Sequence, residues 1–295
     1  MQFTKSEWSG RVHTPEFEEL MTRALRSDGF FILEEALDPA YVAELHSAFT
    51  AELDAYAAAN PSNRGVNRFN THLTVDGVYA NEELIYNPQI MPFLNKLLGV
   101  DLVCTWAAAD TPLAGSDYQM AHSDGRPLFR GTDLALPVYA VAVNFPLVDF
   151  TEENGPLEIW PNGTHLLADV APWEGAKDRE PQRVLMPAGS VLVRDTRMWH
   201  RGSPNLSDAA RPNLAFVYNR SWYRFEGEAG HTPPKVSAQA YASWSVGAQR
   251  AFRFADTDPA LTQQHREECV YKLEELSNAG PNTLEVLDDL AAASA

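Results

Sequence analysis

Short β-type runs separated by prolines are the feature that most constrains how this chain can fold. Between residues 102 and 218, runs rich in β-branched and aromatic residues alternate with turn residues. Proline cannot donate a hydrogen bond within a β-ladder, so each proline marks a strand end or a loop. The prolines that do so here are Pro112, Pro127, Pro137, Pro146, Pro161, Pro172 and Pro187. Many short strands between turns predict a double-sheet barrel or sandwich. The predicted strands cover residues 102–106, 118–122, 138–145, 157–160, 184–186, 191–194 and 213–218.

Helical patterns lie on both sides of this β section. Residues 14–16, Thr-Pro-Glu, are a helix start, and Asp38-Pro39 begins a second helix with one apolar stripe. A third helix is predicted over 88–99. Residues 60–81 lack periodicity and are rich in Asn, Gly, Ser and Arg, so we predict a loop there. An acidic helical tail follows from Pro259, and a lid, a dimer contact or simple packing on the sheet would each fit it.

The length of 295 residues and the hydrophobic content of 45% are enough for one large domain with a sizeable core. We therefore expect a single domain over 1–295. It would comprise a helical preface with a loop over 1–100, a β core over 101–225 and a helical C-terminal extension over 226–295.

The net charge of −17 argues against binding to nucleic acid or to anionic membrane surfaces, because both require basic patches. No signal peptide or membrane-spanning apolar run is visible, and the two cysteines do not form a disulfide framework. These features predict a cytoplasmic protein. Residues 194–224 are a local exception, with six arginines and only two aspartates. Recognition of an anion and ordinary surface salt bridges both fit that excess.

A His-x-Asp pair is the first candidate for chemistry. In an extended strand His122 and Asp124 point to the same side, so both can bind one metal ion. His200, at the start of another β-type run, would complete a set of two histidines and one carboxylate. That set leaves positions open on iron(II) for a cosubstrate and oxygen. Arg211 follows eleven residues later, and its planar guanidinium suits a carboxylate.

The motifs around these residues resemble the phytanoyl-CoA dioxygenase family of iron(II)- and 2-oxoglutarate-dependent oxygenases. The resemblance spans residues 29 to about 225 and is closest to members that tailor small natural products. The motifs are Gln119-x-x-His122-x-Asp124, the run Asn144 to Leu157 with Thr-Glu-Glu-Asn-Gly inside it, Gly163-Thr164-His165, His200-Arg201-Gly202-x-x-Asn205 and Arg211-Pro212.

The resemblance implies a double-stranded β-helix core, the jelly roll of cupin-like proteins, with an N-terminal helical buttress and C-terminal helices. It implies Fe(II) held by His122, Asp124 and His200, with 2-oxoglutarate and O2 as cosubstrates. Arg211 would hold the distal carboxylate of 2-oxoglutarate, and Gln119 and Asn144 would add hydrogen bonds to it. The products would be succinate and CO2, with an iron(IV)-oxo species as oxidant. Related halogenating enzymes have Gly or Ala in the place of Asp124, so a carboxylate there favours hydroxylation, desaturation or rearrangement.

The substrate is predicted as a small, largely apolar secondary metabolite, since the acidic chain disfavours polyanionic CoA thioesters. His72, Arg68 and Trp222 are candidates for substrate contact, with structural hydrogen bonding or core packing as the alternative for each. Two other functions stay open at this point: a metal-dependent cupin-like isomerase and a non-enzymatic jelly-roll binding protein. A homodimer is also compatible with the sequence. Replacing Arg211 would distinguish the alternatives, because neither requires an arginine there.

Overall fold

Twelve strands and eight α-helices make up the described part of the chain in a computed structural model, which covers residues 1–129, 132, 134, 136–223 and 233–257. The strands are β1 Gln2–Phe3, β2 Phe30–Leu33, β3 Arg68–His72, β4 Thr74–Val75, β5 Val103–Pro112, β6 Ala140–Pro146, β7 Leu157–Ile159, β8 Gln182–Val184, β9 Val191–Asp195, β10 His200–Gly202, β11 Asn213–Asn219 and β12 Lys235–Val236. The helices are α1 Lys5–Trp8, α2 Pro15–Ser27, α3 Pro39–Ala59, α4 Glu82–Ile85, α5 Met91–Leu98, α6 Pro172–Gly175, α7 Ala238–Ser243 and α8 Val246–Ala251.

The predicted N-terminal helices begin at the capping residues that the sequence suggests. The Thr14 side chain accepts a hydrogen bond from the Phe17 N–H before α2, and Asp38 accepts from the N–H groups of Ala40 and Tyr41 before α3. A proline in the first helical position follows each cap, where its missing N–H costs nothing. The structure thus contains the predicted helices α2 and α3, and it also contains the predicted α5.

Removing the cap of α3 provides a test of this local structure. Asp38→Ala should lower the free energy of unfolding by about 1 kcal/mol, because two helix N–H groups lose their acceptor. Urea unfolding would measure the loss. The matched control is Asp54→Ala, at an exposed position in the interior of the same helix. An equal loss in both variants would contradict the capping role.

Two sheets carry the β section. A seven-stranded sheet has the order β1-β2-β9-β6-β11-β5-β3, and a three-stranded sheet has the order β10-β7-β8. Strand β9 lies between β2 and β6 and is antiparallel to both. All five of its residues are buried, so this strand lies in the interior of the large sheet.

A shared apolar cluster joins the two sheets. It takes side chains from β2 and β9 of the large sheet and from β7 and β8 of the small one, with the neighbouring segments. Its members are Phe30, Ile32, Phe150, Leu157, Ile159, Val184, Met186, Leu192 and Met198. Inner faces that pack in this way form a two-layer β structure. The prediction of a mainly β protein with flanking helices is confirmed.

Two local predictions are wrong. Residues 60–81 are not one loop, because residues 68–72 form β3 and pair with β5 from Arg68↔Pro112 to His72↔Ala108. The predicted strand at 118–122 is only an extended segment with one isolated bridge, His122↔His200. In both places pairing with a distant strand decided the outcome, and periodicity along the chain carries no information about that pairing.

The described residues divide into two compact units. The first comprises residues 1–73 and 107–217, and the second comprises 74–106 with the chain from Tyr218 onward. In the second unit β12 pairs in parallel with β4, and α7 and α8 follow. The predicted helical tail from Pro259 lies outside the described residues. No described helix combines the length and apolar character needed to cross a bilayer.

Candidate metal centre

His122, Asp124 and His200 converge in the first unit. The backbones of the two histidines form the isolated bridge, with each N–H donating to the other's carbonyl oxygen at 2.9 Å. This pairing places the two rings side by side, with centroids 4.3 Å apart. The ligand atoms of the three residues lie within 4.8 Å of one another, and they form the one cluster of potential metal ligands found among the described residues.

Each of the three side chains has one nitrogen or oxygen atom close to the other two. The Asp124 Oδ1 atom lies 3.5 Å from His200 Nε2 and 3.8 Å from His122 Nε2. His122 Nδ1 lies 2.8 Å from the Met120 carbonyl oxygen, and His200 Nδ1 lies 3.0 Å from that of Met198. A carbonyl oxygen can only accept, so Nδ1 carries the proton in each ring and Nε2 keeps a lone pair for a metal.

Arg194 is a neighbour of this cluster that the sequence analysis did not single out. Its Nη2 donates to Asp124 Oδ2 at 2.5 Å, and its Nη1 lies 3.4 Å from His200 Nδ1. Burial alone raises the pKa of Asp124, but the neighbouring groups, of which Arg194 has the largest effect, outweigh it and hold that pKa far below its usual range. Asp124 is therefore ionised at neutral pH. The sequence does contain one sign of this role, because a charged arginine stands at the end of the apolar run Val191 to Val193.

Burial and the charge of Arg194 also lower the pKa of His200 well below its usual value, although Asp124 opposes them. His200 is thus neutral at pH 7. A neutral imidazole is the form that binds a metal.

Gln119 joins the segment before His122 to β10. Its backbone N–H donates to the Gly202 carbonyl oxygen at 3.0 Å, and its side-chain Oε1 accepts from the Gly202 N–H at 2.8 Å. Residues 119 to 122 lie opposite 200 to 202, so one extra residue interrupts the ladder, as in a β-bulge. The side-chain amide supplies the acceptor that the bulge removes. This explains why 118–122 is not a regular strand.

Arg211 is a buried cation with unused donors. It is 1% exposed, and its Nε and Nη1 atoms have no hydrogen-bond partner. Its nearest carboxylate oxygen, on Asp110, is 3.9 Å from Nη2, and its guanidinium carbon lies 4.2 Å from the centroid of the Phe150 ring. Burial lowers its pKa to about 9, with Asp110 opposing and Arg68 adding to that effect. The group is charged at neutral pH, and the nearby Asp110 carboxylate lies beyond hydrogen-bonding distance.

The other predicted residues have varied positions. Asn144 is buried on β6, and its Oδ1 accepts from Arg194 Nε at 3.3 Å. His72 is exposed at the end of β3. Trp222 belongs to the second unit and is 62% exposed.

Arg68 differs from its predicted role in substrate contact. It is fully buried, and it donates to Asp110 Oδ2 at 3.0 Å and to the Ser203 carbonyl oxygen at 2.8 Å. A substrate would have to displace these protein partners to reach its terminal nitrogens. The structure therefore favours a structural role for Arg68.

The arginine excess over 194–224 is mostly compensated. Arg194 pairs with Asp124, Arg197 with Asp195, and Arg201 with Glu158. Arg224 lies outside the described residues. The local positive charge expected from the sequence therefore reduces, in the first unit, to the unsatisfied guanidinium of Arg211.

A small apolar cluster packs behind the two histidines. Ala121 and Trp199, the residues just before His122 and His200, are buried together with Trp160. Trp160 and Trp199 are each 2% exposed. These tryptophans support the ligand segments and do not line an open pocket.

Comparison with known proteins identifies the family of the chain. The sequence profile of the phytanoyl-CoA dioxygenase family matches residues 25–213. Dioxygenase af480 of Aspergillus fumigatus is 26% identical over 189 residues, which are 63% of this chain and 58% of that protein. The chain thus spans less than two thirds of the length of this relative.

Several solved structures have the same fold. SnoN, a non-heme alpha-ketoglutarate-dependent epimerase from nogalamycin biosynthesis, has a TM-score of 0.55 and 24% identity, over 75% of this chain and 90% of SnoN. HygX from Streptomyces hygroscopicus, solved with nickel, 2-oxoglutarate and hygromycin B, has a TM-score of 0.53 and 15% identity, over 69% and 88%. They confirm the predicted jelly-roll fold class. With a profile match over more than half of its length, the chain belongs to the phytanoyl-CoA dioxygenase family.

Proposed function

We propose that the chain is an Fe(II)- and 2-oxoglutarate-dependent dioxygenase that oxidises a small secondary metabolite by hydroxylation, desaturation or rearrangement. The observation that carries the proposal is the pairing of two features in one unit. Three potential ligand atoms lie within 4.8 Å of one another, and a buried guanidinium with two donors that lack a hydrogen-bond partner lies in the same unit. Two imidazoles and one carboxylate are the donor set of non-heme iron(II) oxygenases.

The three ligands would hold iron(II) through His122 Nε2, Asp124 Oδ1 and His200 Nε2. One ionised carboxylate and two neutral imidazoles leave a single positive charge on the centre, which favours a dianionic cosubstrate. Iron(II) bound there would supply the activation of O2 that accompanies decarboxylation of 2-oxoglutarate to succinate and CO2. The backbone carbonyls of Met120 and Met198 hold both imidazoles in the required tautomer.

Arg211 would bind the distal carboxylate of 2-oxoglutarate. Its Nε and Nη1 atoms are donors without a partner. A carboxylate accepts two parallel hydrogen bonds at the Nη1–Nη2 end or along the Nε–Nη2 edge of a guanidinium, and each of these includes one of the two donors. The bound anion would neutralise a charge that burial makes costly. Phe150, packed against the guanidinium, would exclude water from this pair.

The substrate class rests on the relatives. SnoN and HygX are named with nogalamycin and hygromycin B, and a similar small natural product is the substrate that we propose. Reactions of this class use one iron centre and differ in how the substrate atoms are aimed at it, so the choice among hydroxylation, desaturation and rearrangement follows from the substrate.

Anaerobic titration of the purified chain with iron(II) and then 2-oxoglutarate tests the proposal. Chelation should produce the weak visible metal-to-ligand charge-transfer band of the complex. Arg211→Met should remove most of the band at the same cosubstrate concentration. A folded, iron-loaded protein that never develops the band would contradict the oxygenase function and favour a metal-dependent isomerase or a binding protein.

Gln119 allows a separate prediction, because its side-chain oxygen joins the segment before His122 to β10. Gln119→Glu keeps an oxygen that can accept from the Gly202 N–H, whereas Gln119→Met removes it. We expect iron(II) affinity to fall about tenfold in Gln119→Met and to stay near wild type in Gln119→Glu, since an outer partner that fixes ligands affects metal affinity by this amount. Equal losses in both variants would contradict the register role of Oε1.

A further inference from the structure

We propose that Arg194 is a positioning residue that restricts Asp124 to binding the metal through one oxygen and thereby keeps the positions for the cosubstrate and O2 open. The inference rests on the proposed function, because it assumes that Asp124 is a ligand. It assigns a role to a guanidinium that neither the motif nor the predicted cosubstrate site includes.

The backbone of Arg194 is fixed by the sheet. It lies on β9, where it is paired with Phe30 of β2 on one side and Ala142 of β6 on the other. The residue is 6% exposed. Its side chain therefore has little freedom, and any group that it holds is held firmly.

The contacts of Arg194 divide the carboxylate of Asp124 into two unlike oxygens. Oδ2 accepts from Arg194 Nη2 at 2.5 Å, while Oδ1 is the atom near Nε2 of both histidines. A second contact, from Arg194 Nε to Asn144 Oδ1 at 3.3 Å, anchors the guanidinium on β6. Only Oδ1 is left to face a metal.

The difference between the two oxygens of Asp124 matters because iron(II) has a limited number of coordination positions. An octahedral iron(II) with three protein donor atoms keeps three positions, of which a chelating 2-oxoglutarate takes two and O2 takes one. If both oxygens of Asp124 bound the metal, only two positions would remain. The cosubstrate and O2 would then compete. A guanidinium that occupies Oδ2 prevents this.

The sign of the effect on metal binding separates this role from simple structural support. Most outer partners accept a hydrogen bond from a ligating histidine and raise the basicity of the ligand, so their loss weakens metal binding. Arg194 does the reverse, because it draws negative charge from a ligating carboxylate. Its removal should leave metal affinity equal or higher, since Asp124 gains a second free oxygen and a nearby positive charge disappears. If the ion pair between Arg194 and Asp124 were only structural, its loss would loosen the site. The binding of iron(II) and of 2-oxoglutarate would then both weaken.

The test compares two dissociation constants in one series of folded proteins: that of iron(II) and that of 2-oxoglutarate on the iron-loaded chain, both measured anaerobically. In Arg194→Met we expect an iron(II) constant no higher than in wild type and a 2-oxoglutarate constant raised about tenfold, in the range for outer partners of metal ligands. Arg194→Lys keeps the charge but cannot contact Asp124 and Asn144 together. Its 2-oxoglutarate constant should therefore still rise by at least half as much as that of Arg194→Met. If Arg194→Met does not fold, the same split of constants is read from Arg194→Lys.

The matched control is Arg201→Met, which removes a positive charge from the residue after His200, where the partner is Glu158. It should change neither constant by more than about twofold, as expected for a partly exposed charge. The proposal is overturned if iron(II) binding weakens together with 2-oxoglutarate binding, if Arg194→Lys restores the cosubstrate fully, or if Arg201→Met reproduces the effect. A wild-type chain that does not bind iron(II) and 2-oxoglutarate would instead refute the proposed function itself.

Discussion

His200→Ala is expected to abolish the iron(II) site. Its Nε2 is one of the three converging ligand atoms, and its ring is 5% exposed, so no surface group can take its place. Iron(II) affinity should fall by more than about 100-fold, beyond the usual cost of losing an outer partner of a ligand. The charge-transfer band with 2-oxoglutarate should disappear. Equilibrium dialysis with iron(II) and the anaerobic spectrum would measure the two effects.

His165→Ala is the matched control for this loss. His165 is also a buried histidine, 4% exposed, and the Nδ1 atom of its ring has no hydrogen-bond partner. It lies outside the cluster of ligand atoms. The control variant should keep its iron(II) affinity and its band. Normal iron(II) binding in folded His200→Ala, or an equal loss in both variants, would contradict the predicted ligand set.

Local signals predicted the helices well. The pairs Thr14-Pro15 and Asp38-Pro39 identify helix starts because the cap and the proline act within one turn, and the structure begins α2 and α3 at those prolines. The strand β3 was missed because its pairing partner, β5, is about forty residues away, as in the pair Arg68↔Pro112. Sheet pairing over such distances leaves no local pattern in the chain.

The site was predictable to the extent that its residues form a motif. His122, Asp124 and His200 were named from spacing and resemblance, and their side chains do converge. Arg194 was not, because its role depends on β9 lying beside β6 and on its contact with Asp124. A buried arginine at the end of an apolar strand conflicts with the local pattern, and such conflicts are expected at functional sites.

Arg211 presents the clearest conflict between stability and binding. Its guanidinium is 1% exposed and leaves two donors unused, and burial lowers its pKa to about 9. A buried charge without a hydrogen-bonded partner destabilises the folded chain. The chain retains this cost, which is typical of a residue kept for binding.

Arg211→Met should therefore separate stability from binding. Without ligand, the variant should unfold at the same temperature as wild type or a higher one, because an apolar side chain replaces a buried charge with two unsatisfied donors. Its 2-oxoglutarate affinity should fall by at least about thirtyfold, since truncating one partner of a buried charge pair costs about 2 kcal/mol or more. Added 2-oxoglutarate should raise the melting temperature of iron-loaded wild type but not of the variant, because only a ligand that binds the folded state stabilises it. Differential scanning calorimetry with and without the cosubstrate measures both effects. A variant that is much less stable without ligand, or one that 2-oxoglutarate still stabilises fully, would show that Arg211 serves the fold and does not hold the cosubstrate.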